Sequence, residues 1–80
     1  MTISPAQARG GRAMAGMTQE ELADAAKVTR KTLATFETGQ SRAHTPTITK
    51  VRRVLEARGI VFFDSEEGRG VMLKGDVPEA

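Results

Sequence analysis

Apolar residues along the 80-residue chain follow two rhythms, and the change falls at Gly59. Up to that point they recur at helical spacing between short start and stop signals. Ser4-Pro5-Ala6-Gln7 combines a capping serine, a proline at the first helical position and a glutamine at the third, so a first helix is predicted from about Pro5 to Ala15. Its Gly10-Gly11 pair costs about 1 kcal/mol per glycine relative to alanine, so either the helix is weak in isolation or something packs very close to its backbone; the favoured reading is weakness offset by tertiary packing. Gly16 ends this helix. Thr18-Gln19-Glu20-Glu21 is a full capping box opening a second helix to Ala26, and Thr29 caps a third from Arg30 to Thr38, stopped by Gly39. After the polar stretch Gln40 to His44, Thr45-Pro46 repeats the cap-then-proline start. Ile48, Val51 and Leu55 then mark the buried stripe of a fourth helix that ends at Gly59.

Beyond Gly59 the pattern becomes β-like. Ile60-Val61-Phe62-Phe63 and Val71-Met72-Leu73 flank the turn-rich Asp64 to Gly70, which predicts a hairpin with a loop longer than the tightest type. An isolated hairpin is marginal in water, so this one must pack on something. The fold class is therefore mainly α: a four-helix domain over residues 1–59, a β-hairpin over 60–74 and a flexible tail over 75–80.

Composition narrows the function. One small domain of this length buries about 60–65% of the surface of its unfolded chain, too little for a large enzyme with its own cofactor domain. No apolar run is long enough to cross a bilayer and no secretory leader is visible, so a cytoplasmic protein is expected. The chain has no cysteine and a single histidine, His44, which leaves neither a thiolate nor a histidine cluster for a metal. No metal and no cofactor are expected. Nor is a catalytic set of Ser/His/Asp, paired carboxylates or a phosphate-cradling glycine loop visible, so an enzyme is not expected; Gly68-Arg69-Gly70 reads as turn chemistry and Glu66-Glu67 as solvated turn residues. Met14, Met17 and Met72 read as core or interface fillers. The net charge of +2 hides an asymmetry: Lys and Arg predominate before residue 60 and Asp and Glu after it. The first segment suits a polyanion, although so small a split is also what an ordinary solvated surface shows.

Two helices of eight or nine residues, joined by a short turn and crossing at small side chains, meet the requirements of a helix-turn-helix. Residues 17–39 supply them. Ala23 sits at the crossing, Leu22, Ala26, Val28, Leu33 and Phe36 form the shared core, and the third helix leaves Arg30, Lys31, Ala34, Thr35 and Thr38 exposed. Met17-Thr18-Gln19-Glu20-Glu21-Leu22-Ala23, Val28-Thr29, Thr32-Leu33 and Phe36-Glu37-Thr38-Gly39 resemble the phage-repressor-like (Cro/CI-type) helix-turn-helix family of DNA-binding regulators. The resemblance covers about residues 5–59 and stops short of the hairpin. It departs from the family at the inter-helix turn, where glycine in a left-handed conformation is common and this chain has Lys27.

The resemblance and the side-chain chemistry together imply a set of contacts. Arg30 and Lys31 would enter the major groove and read guanine acceptors, with Thr32 and Thr35 beside them touching thymine methyls or base edges. Thr18, Gln19, Lys27, Thr29, Thr38, Gln40 and Arg42 would track phosphates, with Arg12 also in reach. Local alternatives stand beside these: Thr29 as a cap, Thr32 as solvated helix surface, Arg42 as an exposed loop charge. The family also implies that Arg12 and Glu37 pair between the first and third helices. Ile60, Phe62, Phe63, Val71 and Leu73 are the expected dimer interface, the alternative being that the hairpin closes its own domain's core. The leading expectation is a repressor-like transcription regulator binding double-stranded DNA as a homodimer. The other is a module of the same fold that captures a second regulatory protein, as an antiactivator or antitoxin.

Overall fold

The computed structural model describes residues 2–40 and 45–76; Arg42, His44 and most of the segment read as a tail lie outside them. Four helices come first: α1 (Pro5–Met14), α2 (Gln19–Ala26), α3 (Arg30–Thr38) and α4 (Thr45–Ala57). An antiparallel hairpin of β1 (Ile60–Ser65) and β2 (Gly68–Leu73) follows.

The start signals work as reciprocal hydrogen bonds. Ser4 Oγ accepts from the Gln7 amide at 3.1 Å while Gln7 Oε1 accepts from the Ser4 amide at 2.9 Å. Thr18 and Glu21 repeat the exchange at 3.0 and 2.8 Å. The Thr18 amide first, and then its hydroxyl, as hydrogen-bond partners of the Glu21 carboxyl, hold it below the usual glutamate range. Ile3, just before the first cap, and Ala8 occupy the two positions of a hydrophobic staple, and both are buried.

Leu22, Ala23, Ala26, Leu33, Phe36, Val51 and Leu55 form the centre of the core, with Met17 beneath them and Val28 and Ile48 partly buried at the edge. Met14 and Met72, by contrast, are exposed. Ala23 is 1% exposed, as a helix crossing with room only for a methyl requires.

The hairpin packs on this same core. Ile60 and Phe62, read from the sequence as seam residues between copies, are 2% and 8% exposed within the single chain, and Val71 and Leu73 pack against them. These side chains pack within the chain's own core. Alternation then turns Val61, Phe63 and Met72 to the outer face. The Phe63 ring covers Gly70, its partner across the ladder, where a Cβ would come within 2.4 Å of the ring.

Two expectations need correction. The strands extend to Ser65 and Gly68, so the loop is the two residues Glu66-Glu67 and not a long one. Ser65 closes it locally: its hydroxyl donates to the Gly68 carbonyl and accepts from the Glu67 amide, both at 3.2 Å. Gly68 takes a φ of +148° that a side chain would resist. The glycine pair in α1 is the second case. A Cβ on Gly11 would stand 3.3 Å from Ile60, Leu55 and Phe62 alike, and one on Gly10 3.2 Å from a Val71 methyl. The pair is there for close approach, since the hairpin and α4 lie directly against the α1 backbone.

Opposite effects follow from that geometry. Gly10→Ala meets one side-chain methyl that can yield, so the helix-propensity gain of about 1 kcal/mol should raise the melting temperature. Gly11→Ala meets three core side chains at once, and overpacking of about 1–3 kcal/mol should outweigh the same gain. Thermal melts by circular dichroism check the pair; a rise for both would sink the close-approach account.

Candidate nucleic-acid interface

The turn between α2 and α3 is made without glycine. Lys27 adopts φ +59° and ψ +43°, a left-handed conformation that costs a residue with a side chain about 1–2 kcal/mol. It still closes α2 as glycine would: the Val28 amide reaches back to the Ala23 carbonyl at 3.0 Å and the Lys27 amide to Asp24 at 3.2 Å. The turn is left-handed at Lys27, and the Lys27 side chain is left in solvent.

The exposed face of α3 is polar at its first turn. Arg30, Lys31 and Thr32 are exposed, and Thr35 and Ala34 half-buried. Thr29 caps the helix by accepting from the Thr32 amide at 3.1 Å, and the two hydroxyls lie 2.8 Å apart. The Thr38 hydroxyl donates to the Thr35 carbonyl of its own helix at 2.9 Å. Thr18 and Gln40 are exposed.

Behind this face a buried carboxylate sets the position of α3. Glu37 is 1% exposed. Arg12 of α1 grips it with two hydrogen bonds, Nε to Oε2 at 2.9 Å and Nη2 to Oε1 at 3.0 Å. The same guanidinium donates through Nη1 to the Met17 carbonyl at 3.1 Å, which fixes the α1–α2 connection. Gln19, at the start of α2, completes the set with its side-chain amide on Oε1 at 3.1 Å. One carboxylate thus ties three helices.

The bond from Gln19 to Glu37 went unread in the sequence, and so did two further contacts. Arg9 donates to the Glu37 carbonyl and so satisfies a free acceptor at the end of α3. Gln7, legible only as half of a capping box, also sends its amide nitrogen to the carbonyls of Phe63 and Gly70 in the hairpin. Nothing in a cap motif names a target more than fifty residues away.

Arg12, Thr18, Gln19, Glu20 and Arg30 line one open depression between the starts of α2 and α3 and the end of α1. Arg12 has further guanidinium donors beyond those given to Glu37 and Met17, and Arg30 is unburied, so the depression offers cationic donors to an anion. Glu20 opposes them.

With this geometry in place, comparison with known proteins is decisive for the family. A helix-turn-helix family model (HTH_3) matches residues 11–60, from the middle of α1 to the first residue of the hairpin. The chain belongs to the phage-repressor-like helix-turn-helix family. It is a DNA-binding regulatory domain of that kind, followed by a hairpin that the family match leaves out. No curated protein matches the chain. Among the described residues no helix is long and apolar enough to cross a membrane.

The two partners of the buried pair should respond unequally. Arg12→Ala strands a carboxylate with almost no access to water and should cost about 3–5 kcal/mol, whereas Glu37→Ala leaves an arginine with 22% of its side chain exposed and should cost less. Urea denaturation with an unchanged m-value checks the order; a Glu37→Ala variant as stable as the parent would contradict the tie between helices.

Proposed function

We propose that the chain is a transcription regulator that reads an operator through α3 and acts as a homodimer. The observation that carries this reading is the pairing of a cationic, exposed first turn on α3 with a buried clamp that fixes the same helix from behind. Preorganised donors lose little freedom on binding, which is what a reader of base edges needs. Arg30 and Lys31 carry guanine readout, with Thr32 and Thr35 alongside. Thr18, Gln19, Lys27, Thr29, Thr38, Gln40 and Arg42 follow the phosphates, joined by the spare donors of Arg12. Gln19 serves both ends, since one amide hydrogen faces Glu37.

A single helix-turn-helix offers few base contacts, and two copies reading half-sites about 34 Å apart would double them. With Ile60 and Phe62 buried at home, the surface left for a second copy is the outer hairpin face, where Phe63 and Met72 are 44% and 51% exposed. Charge supports that occupant. Exposed Glu66 and Glu67 stand at the hairpin tip and exposed Arg58 and Lys74 at its base, so two hairpins stacked face to face about a two-fold axis would set tip over base. The same apolar face and acidic turn support the second reading, capture of another regulatory protein.

Fluorescence anisotropy against a duplex from the protein's own upstream region and a scrambled duplex, across a salt series, tests the reading. Tighter binding to the native duplex with a steep fall as salt rises is expected. Lys31→Ala should weaken native binding by about 1–3 kcal/mol and narrow the gap between duplexes. Equal and weak binding to both would move the reading to the protein-binding module. Sedimentation should give a dimer mass that falls on dilution and that Met72→Glu shifts toward monomer; a monomer mass at every concentration would refute the homodimer.

A further inference from the structure

We propose that Gln7 is a positioning residue for DNA binding: by holding the hairpin on α1 it keeps Arg9 and Arg12 set against the last turn of α3. The inference rests on the DNA-binding reading of α3. Its starting point is that α1 is a poor helix by itself, ten residues with two glycines, and helices shorter than about 12–15 residues are marginal in water. Its order comes from what grips it on both sides.

One side is the hairpin. Gln7 is 3% exposed, and its amide nitrogen lies 3.2 Å from the Phe63 carbonyl and 3.1 Å from the Gly70 carbonyl. Phe63 and Gly70 face each other across the ladder, so a single amide group bridges both strands. The other side is α3, through Arg9 on the Glu37 carbonyl and Arg12 on the Glu37 carboxylate. Gln7, Arg9, Gly11 and Arg12 lie within two turns of one short helix. Loss of the hairpin contact therefore frees the element that carries the clamp, although Gln7 itself lies outside every assigned DNA contact.

The cap and the hairpin contact use different atoms of Gln7, and chemistry can separate them. Oε1 takes the Ser4 amide, a task that a glutamate performs equally well in a capping box. The two hairpin bonds need donors, which an ionised carboxylate lacks. Gln7→Glu therefore keeps the cap and replaces two donations with repulsion. Protonation would restore one donor. Burial and two carbonyl acceptors both favour the neutral acid, which lifts its titration toward neutrality. Charged neighbours in chain and ladder position are Arg9 along α1 and the ion pair Asp64–Arg69 at 3.3 Å in the next ladder position. The parent protein is measured in parallel as the control for any other pH dependence.

The experiment compares parent, Gln7→Glu and Gln7→Met, full-length, by duplex anisotropy and by amide hydrogen exchange without DNA, at about pH 5 and 7.5. At the higher pH, Gln7→Glu should bind about tenfold more weakly and exchange faster both in the hairpin and over residues 36–39. At the lower pH it should recover relative to the parent. Gln7→Met keeps length without donors or charge, so its loss should be smaller and independent of pH; it carries the comparison if the glutamate variant does not fold at pH 7.5. Faster exchange confined to the hairpin, with affinity and α3 protection at parent levels, would overturn the inference while leaving the DNA reading intact. A parent protein that binds no duplex would overturn the DNA reading instead, and the exchange data would still decide whether Gln7 positions α3.

Discussion

A carboxylate with 1% of its surface exposed has to be solvated by protein, and that requirement organises the first three helices of the molecule. Glu37 gets its hydrogen bonds from Arg12 on α1 and Gln19 at the start of α2. Neither donor can move without leaving the charge short of partners. Three helices are thus held in one relative position by a group whose desolvation would otherwise be prohibitive. A well-packed apolar residue there could give as much stability, because a buried ion pair gains little net energy. The distinction of the ionic arrangement is direction: Arg12 and Gln19 both stand beside the depression that opens toward Arg30. The clamp and the donors that line the depression belong to the same two residues, so the fold and the depression are set together.

The hairpin is tied into the same arrangement through α1. Glycines at positions 10 and 11 let the hairpin and α4 approach the α1 backbone closely, which a helix of ordinary residues would prevent. The helix gives up propensity for this, and tertiary contacts make up the difference. As a consequence α1 is ordered from two directions, by the hairpin on one flank and by α3 on the other. The family match ends where the hairpin begins, yet Ile60 and Phe62 belong to the same buried cluster as Leu33 and Leu55. Sequence family and physical core do not share a boundary here.

What could be read from the sequence was whatever is signalled locally. Ser4, Thr18 and Thr29 mark helix starts because a cap is a contact over three residues, and the structure begins α1, α2 and α3 one residue after each. The core stripe Val51 and Leu55 follows from helical spacing alone. The contacts that were missed are all long in sequence: Gln7 to the hairpin, Arg9 to Glu37, and Gly11 under Phe62. A glutamine in a capping box looks complete in its local role, so nothing prompts the search for a distant second one; for the glycine pair close packing was open in the sequence, but only the fold names the neighbours. The hairpin loop was overestimated for a related reason. Polar and glycine residues from Asp64 to Gly70 look like a turn by composition, but the backbone of all but Glu66 and Glu67 is paired in strands.

Lys27 illustrates how a local strain can persist at such an interface. Glycine would relax the left-handed turn, and the surrounding hydrogen bonds from Val28 and Lys27 back into α2 would form equally well with it. The cost of keeping lysine is about 1–2 kcal/mol, small enough for the Ala23, Leu22 and Leu33 core of the motif to absorb. In return, the position between the two helices carries a solvent-facing positive charge adjacent to Thr29, Arg30 and Lys31. A neutral glycine would leave that end of α3 with one cation fewer. Strain at the turn and charge on the surface are two aspects of one residue, and the packed core of the motif is what lets the fold hold both.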